Sequence, residues 1–331
     1  NDIFVHVVVA GRNVEKAAIK MSKLKCKCEI RKVDVEKICA SDLENIDTVI
    51  MCLENSNEEV LCECIKNRIN YVDITPSNRI IEDILKYQDA IKKAGIVAVL
   101  GVGIAPGISN LLADRVARQF DQVTAIESYL MLGVGEEHGN DAIKWLVNNL
   151  NTTYEADGEY GKEKVKSFIQ IRKVKVGENK KMHDFTRIDL ADSHINRKRY
   201  PQARVNSWFS YDVSFFTGIV RIMTKIGLFH WIENDKVKKY YNRMFKISMG
   251  LSQKMKIGTD KYASIIRVKG KKAEIEQEWE IRVVGNCNSE ITAYVAAYVA
   301  KKIAEFEKGF HYVGECVRID EMDIKYSIRE C

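Results

Sequence analysis

Gly11-Arg12-Asn13 closes an unbroken run of β-branched and aromatic residues, Ile3 to Val9, the pattern of a strand buried on both faces. A guanidinium at the end of such a strand is a planar fork suited to phosphate oxygens. In a dinucleotide-binding α/β unit, the end of the second strand carries an acid for the ribose hydroxyls or an arginine for a 2′-phosphate. No acid stands at Ala10 or Gly11. Gly11, Arg12 and Asn13 are therefore candidate cofactor-binding residues, and they favour NADP(H) over NAD. A solvent-facing arginine after an ordinary strand is the alternative on these residues alone. The G-x-G-x-x-G loop that should come before such a strand is not found ahead of it in the sequence.

Further residues with chemical potential lie at other strand ends. Leu53-Glu54-Asn55 closes one apolar strand, and Thr75-Pro76 closes the next. Both belong at the carboxyl edge of a parallel sheet, where ligands bind in open α/β folds, and both are candidates for the cofactor crevice. Asp73, inside an apolar strand, needs partners if it is buried, so capping a neighbouring loop competes evenly with catalysis. The turn Gly103 to Asn110 is the candidate substrate cleft, through Gly103, Ala105, Pro106, Gly107 and Asn110. Gly107 allows close approach of a ligand, and a helix starting near Ile108 would point free N–H groups at a carboxylate. His138, in a loop before a helix, has an ordinary pKa near neutrality and is the candidate catalytic proton donor. Shaping that loop is its equally weighted alternative. His183, His194, His230 and His311 have no comparable setting, and the four tryptophans read as core or interface residues.

The elements that must position these residues alternate. Strands at 5–9, 28–35, 47–54, 70–75 and 96–103 are separated by helices at 14–24, 57–68 and 79–95, which implies a parallel sheet covered on both faces. Beyond Phe120 the pattern changes to longer strands: one from Val123, and paired antiparallel strands over 165–176 and over 262–285 with Gly270 at the turn. The expected architecture is α/β: a Rossmann-type parallel-sheet domain over 1–121, completed by 288–331, and a second α+β domain over 122–287 with a mixed or antiparallel sheet. The helix over 289–309 should be capped by Ser289 and ended by Gly309.

At 331 residues, 46% apolar and 30% charged, the chain is long enough for two cores. Its net charge of +6 is mild, the short basic runs Asn196 to Tyr200 and Lys269 to Glu274 read as solvated turns, and no nucleic-acid partner is expected. Nine cysteines without zinc-like spacing or partner histidines read as reduced thiols of a cytoplasmic protein, with no metal site. No stretch is long enough to cross a bilayer. The most apolar one, Phe215 to Ile232, is interrupted by Arg221 and Lys225 at helical spacing. It reads as a helix buried at a domain or subunit contact, with a membrane-surface helix as the alternative.

The order "DTVIMCLE", "NYVDITPSN" and "VLGVGIAPGISNLLADRVA", followed by "HGNDAIKW", "GKEKVKSF" and "EITAYVAAYVAKKIAEFEKGFHYVGE", resembles the saccharopine dehydrogenase family along the whole chain. In that family the turn after the fifth strand reads G-x-x-P-G-x-x-N, matched here by Gly103 to Asn110. The resemblance implies that the strand ending in Gly11-Arg12 is the second strand. One β-loop-α segment is then expected ahead of Asn1. It also implies a homodimer made through the second domain, a small amino-acid-like substrate, and NADP(H)-dependent oxidoreduction at a C–N bond. Family members acting on saccharopine usually carry Asp before Pro-Gly, where this chain has Ala105. That departure argues against saccharopine itself. It also leaves open a non-catalytic nucleotide-binding sensor or scaffold.

Overall fold

In the computed structural model, residues 6–22, 28–54, 57–136, 139–176 and 182–331 are described, with only the backbone of Asn140 and Asp141. The first part runs β1 (Val8–Gly11), α1 (Val14–Met21), β2 (Glu29–Lys32), β3 (Thr48–Met51), α2 (Asn57–Asn67) and β4 (Asn70–Asp73). It continues through α3 (Asn78–Leu85), α4 (Gln88–Ala94), β5 (Val97–Leu100) and α5 (Ile108–Ala117). The middle comprises β6 (Gln122–Leu132), α6 (Asn140–Asn149), β7 (Thr153–Asp157), β8 (Lys162–Lys166), β9 (Ile171–Lys175) and β10 (Met182–Arg187). After these come α7 (Ala191–Arg199), β11 (Arg204–Tyr211), α8 (Ser214–Lys225), α9 (Asp235–Lys254), β12 (Lys261–Lys272) and β13 (Ile275–Asn286). The chain ends with α10 (Asn288–Lys302), β14 (Gly309–Tyr312), α11 (Val313–Cys316) and β15 (Ser327–Glu330).

Parallel pairing builds a four-stranded sheet in the order β14-β5-β4-β3 and a separate pair, β1-β2. Central strand β5 shows why the sequence folds this way. All four of its residues are buried, and they alternate between two cores. Val97 and Val99 pack with Ile108 and Leu112 of α5. Ala98 and Leu100 pack on the opposite face with Ile81, Ile84, Ile91 and Tyr71. The helix expected over 79–95 is two helices, α3 and α4, which break at Lys86-Tyr87 and end in a left-handed Gly95.

The usual strand order of this fold is 3-2-1-4-5-6. The parallel strands fall here into two sheets, β1-β2 and β14-β5-β4-β3. The consequence is visible in burial. The run ending in β1 is expected to be buried on both faces, but Val8 and Val9 are only half-buried, and Val7, Ile50 and Leu53 are exposed. Helix α1 has no buried residue, so it leaves the β1 side chains only partly covered.

The second sheet is seven-stranded and mixed, in the order β15-β13-β12-β6-β11-β10-β9, with β6 and β11 parallel and the other neighbours antiparallel. A small β7-β8 hairpin stands apart. Two expectations need correction. The 288–331 segment does not serve the first domain alone: β14 pairs with β5, but β15 pairs with β13. The β12–β13 turn falls at Ala273-Glu274, both in left-handed conformation, and not at Gly270. Gly270 instead sits at a bulge in β12, where a β-carbon would come within 2.6 Å of the Phe120 ring. The α5 residues Ile108, Leu111 and Leu112 share one core with Ile126, Val205 and Ile266 of the second sheet, so the two domains meet across α5.

Helix α8 is covered on one face only within this chain. Its buried residues are Thr217, Val220 and Thr224, while Phe215, Ile222 and Ile226 are exposed. This outward apolar stripe is therefore not buried within the protomer.

Candidate functional site

The carboxyl ends of β3, β4 and β5 lie at one edge of the four-stranded sheet, because the strands are parallel. Asp73, at the end of β4, organises that edge. It is fully buried and accepts from Tyr71 Oη at 2.5 Å, Asn57 Nδ2 at 2.9 Å and the Thr75 amide at 2.8 Å. Asn57 also donates to the Leu53 carbonyl at 3.0 Å, and Thr75 Oγ1 donates to Glu54 Oε1 at 3.1 Å. One carboxylate thus ties together the two strand-end segments, Leu53-Glu54 and Thr75-Pro76. Burial pushes the Asp73 pKa up to about 6, against the opposing pull of its three donors. Of the two roles open to Asp73, the geometry favours loop anchoring, since every oxygen faces an internal donor. The anchor's other members, Asn57 and Tyr71, carry no motif; their signal is proximity to strand ends.

The turn after β5 is more closed than expected. Ile108 N donates to Gly103 O at 2.8 Å, and Ser109 N donates to Ile104 O at 3.0 Å. The helix-start N–H groups are therefore engaged internally, and the expectation that they point free into a cleft is corrected. Asn110 is corrected too. It is 3% exposed, and its Oδ1 accepts from Gly107 N at 3.1 Å. Its Nδ2 donates to Asp192 O at 3.0 Å and Asn196 Oδ1 at 2.8 Å, both on α7. Asn110 fastens the turn to the second domain and does not face a ligand. Gly107 has φ of 132°, and a β-carbon there would lie 2.0 Å from Gly103 O, so no other residue fits. The Ala105–Pro106 peptide is cis, and both residues are buried.

A β-carbon at Gly103 would be 3.6 Å from Thr292 Cγ2 of α10. The same helix receives the loop that leaves β6. Glu136, itself buried, accepts from the amides of Asn288 and Ser289, each at 2.9 Å, from Ser289 Oγ at 2.7 Å, and from the Asn288 side-chain amide. The cap of α10 is thus the Glu136 carboxylate and not Ser289, whose hydroxyl donates to that carboxylate. A carboxylate at a helix N-terminus meets both the orphan amides and the positive end of the dipole. Ser289 and Thr292 are three residues apart, about 4.5 Å along the helix axis. Glu136 and Gly103 therefore sit against adjacent turns of α10.

Of the cofactor candidates, Arg12 follows β1 directly and is exposed. Asn13 caps α1, its Oδ1 accepting from Lys16 N at 2.7 Å. A β-carbon at Gly11 would meet nothing within 4 Å, so the strand end is open. Asn55 and His138 lie outside the described residues. Among the described residues no group of His, Cys, Asp and Glu could hold a metal ion, and no helix is long and apolar enough to cross a membrane.

Residues 1–99 match the family described as saccharopine dehydrogenase NADP binding domain, which agrees with the family likeness read from the sequence. No curated protein matches the chain in sequence. Among solved structures, the chain is similar to a mutant meso-dapdh with DAP from Clostridium tetani E88, at 13% identity and a TM-score of 0.45, over 95% of each chain. It is also similar to an engineered D-amino acid dehydrogenase bound to NADP+, at 11% identity and a TM-score of 0.42, over 96% of this chain and 98% of that one. A third similar structure is the C. glutamicum DAP dehydrogenase in complex with DAP, at 11% identity and a TM-score of 0.41, with the same coverage.

Proposed function

We propose, from a first domain of the saccharopine dehydrogenase NADP-binding type, that the protein is an NADP(H)-dependent oxidoreductase. Its reaction is at a C–N bond, imine or secondary amine, of an amino-acid-like substrate. The observation that carries this reading is Glu136. Its bonds to α10 bring the loop after β6 beside the turn after β5, at the carboxyl edge where ligands bind in such sheets. Bound cofactor supplies or accepts the hydride. Arg12 takes the adenosine 2′-phosphate, with Asn13 next to it. The Leu53-Glu54 and Thr75-Pro76 segments, held rigid by Asp73, line the path toward the reacting end. His138, two residues after Glu136 in the sequence, handles the proton that accompanies hydride transfer. The protein is proposed to be a cytoplasmic homodimer, which sedimentation equilibrium would check.

One observation favours a second reading, a nucleotide-binding sensor or scaffold without catalysis. The turn at Ala105 is closed on itself and carries no ionisable group where family members acting on saccharopine usually have Asp. Two variants separate the readings. Arg12→Ala should weaken NADPH binding roughly 10- to 150-fold, the equivalent of a hydrogen bond to a charged group worth about 1.5–3 kcal/mol, and leave NADH binding unchanged. His138→Gln should lower turnover in an NADPH-coupled metabolite screen with little effect on cofactor affinity. Equal affinity for both cofactors in the unmutated protein defeats the NADP assignment. Unchanged turnover in His138→Gln removes the catalytic role of that residue.

A further inference from the structure

Helix α8 carries apolar residues on both faces: inward, Val220 is buried and Phe216 and Met223 pack against the core. Its inward side also carries two threonines: Thr217 Oγ1 accepts from the Tyr211 amide at 2.9 Å, and Thr224 Oγ1 donates to Val220 O at 2.9 Å. Outward it presents Phe215, Ile219, Ile222 and Ile226, spaced four, three and four residues apart, which is a single stripe along one face. Phe215 is 69% and Ile226 70% exposed, and Trp231 in the turn that follows is 73% exposed. A soluble surface seldom carries so many large apolar side chains in one contiguous stripe without a partner.

The charge of the segment that carries this stripe is one-sided. Between Ser214 and Lys256 stand nine basic residues against two acids, Glu233 and Asp235. That segment carries +7 while the whole chain carries +6, so the remainder is net −1. Lys225, Lys236, Lys239, Lys246 and Lys254 are exposed, and none of the nine cations makes an ion pair among the described residues. Exposed Phe, Ile and Trp in one segment with exposed, unpaired lysines is the chemistry of a surface that settles in the headgroup region of an anionic bilayer. A second copy of this chain is a poorer occupant, because two-fold pairing would bring together two segments that each carry +7.

We propose that the Phe215–Trp231 face docks this protein peripherally on anionic lipid surfaces, with Trp231 and the α8 stripe inserted and the lysines of α9 meeting the headgroups. The test is co-sedimentation of the unmodified protein with vesicles of phosphatidylcholine alone or with one third phosphatidylserine, at low and high salt. Trp231 emission and its quenching by brominated lipid are followed in parallel, with Trp231→Phe as the control. Expected results are binding to the anionic vesicles only, at least tenfold weakening by high salt, and a blue shift lost in Trp231→Phe. A Phe215→Ser/Ile222→Ser/Ile226→Ser variant changes only exposed positions. It should lose at least tenfold in vesicle binding while keeping its circular dichroism, NADPH affinity and oligomeric state. Absence of binding to anionic vesicles, or equal binding to neutral ones, overturns the proposal. So does a change of oligomeric state in the triple variant, which would assign the face to contact between copies.

Discussion

Replacing Tyr71 with phenylalanine removes one oxygen from a fully buried site and leaves the ring in place, so its effect isolates the bond to Asp73. Burial raises the Asp73 pKa from 3.8 to about 6. At about 1.4 kcal/mol per unit, the folded protein favours the protonated acid by about 3 kcal/mol relative to the unfolded chain. The folded state binds the proton more tightly. This stabilisation is therefore complete below the unfolded pKa and is lost as pH rises through the folded value near 6. Above that, the buried carboxylate depends on its three donors. Tyr71→Phe should thus cost about 1.5–3 kcal/mol at pH 8, where the lost bond is charge-assisted, and about 0.5–1.5 kcal/mol at pH 4.5, where it is neutral. Because a two-domain chain need not unfold in one step, hydrogen exchange of the β4 and β5 amides in urea is the suitable measurement. Equal losses at the two pH values, or a larger loss at pH 4.5, would refute the assignment of Asp73 as an ionised loop anchor.

Glu136→Ala should destabilise the protein by about 0.5–2 kcal/mol in urea, since it removes the cap from the part-buried α10 amides, and it should lower turnover more than cofactor affinity. Asn110→Asp should destabilise at least as much as Asn110→Ala in thermal melts at pH 8. The carboxylate still accepts from Gly107 N, but its second oxygen would face Asp192 O and Asn196 Oδ1, two further acceptors. If Asn110→Asp were instead the milder of the two substitutions, the Asn110 side chain would not bridge to α7.

What the sequence discloses is local. The β5 strand is legible because five consecutive apolar residues, Ile96 to Leu100, bounded by Gly95 and Gly101, are too short for a helix and read as a strand covered on both sides. Arg12 is legible by position, because the residue after the strand is fixed once the strand is read. The Gly103 to Asn110 turn is recognisable, but its role is not. Spacing reveals that Gly107 permits close approach, and here the approaching group is Gly103 O of the same turn, not a ligand. The place of the β12–β13 turn is hidden because Gly270 resembles a turn glycine, whereas Ala273 and Glu274 adopt the left-handed conformation that the hairpin imposes.

Long-range pairings leave no trace of that kind. Glu136 lies 153 residues from Ser289, and a serine at a helix start is the natural cap until a distant carboxylate displaces it. Helix α8 shows the same limit for packing. A period of 3.6 establishes that a stripe exists and says nothing about which stripe faces inward. The ordinary assumption, apolar inward, holds when a core waits on one side only. For α8 the core takes Val220, Phe216 and Met223, and Thr217 beside them satisfies the Tyr211 amide of β11, so a second apolar stripe is left facing out. When a helix is apolar on two sides, a hydrogen bond to an otherwise unpaired backbone group can decide which side turns in, because leaving that group unsatisfied costs about 1–3 kcal/mol. The exposed stripe is tolerable only if a surface of matching chemistry covers it, and that makes the vesicle experiment a test of the rotation as well as of the docking.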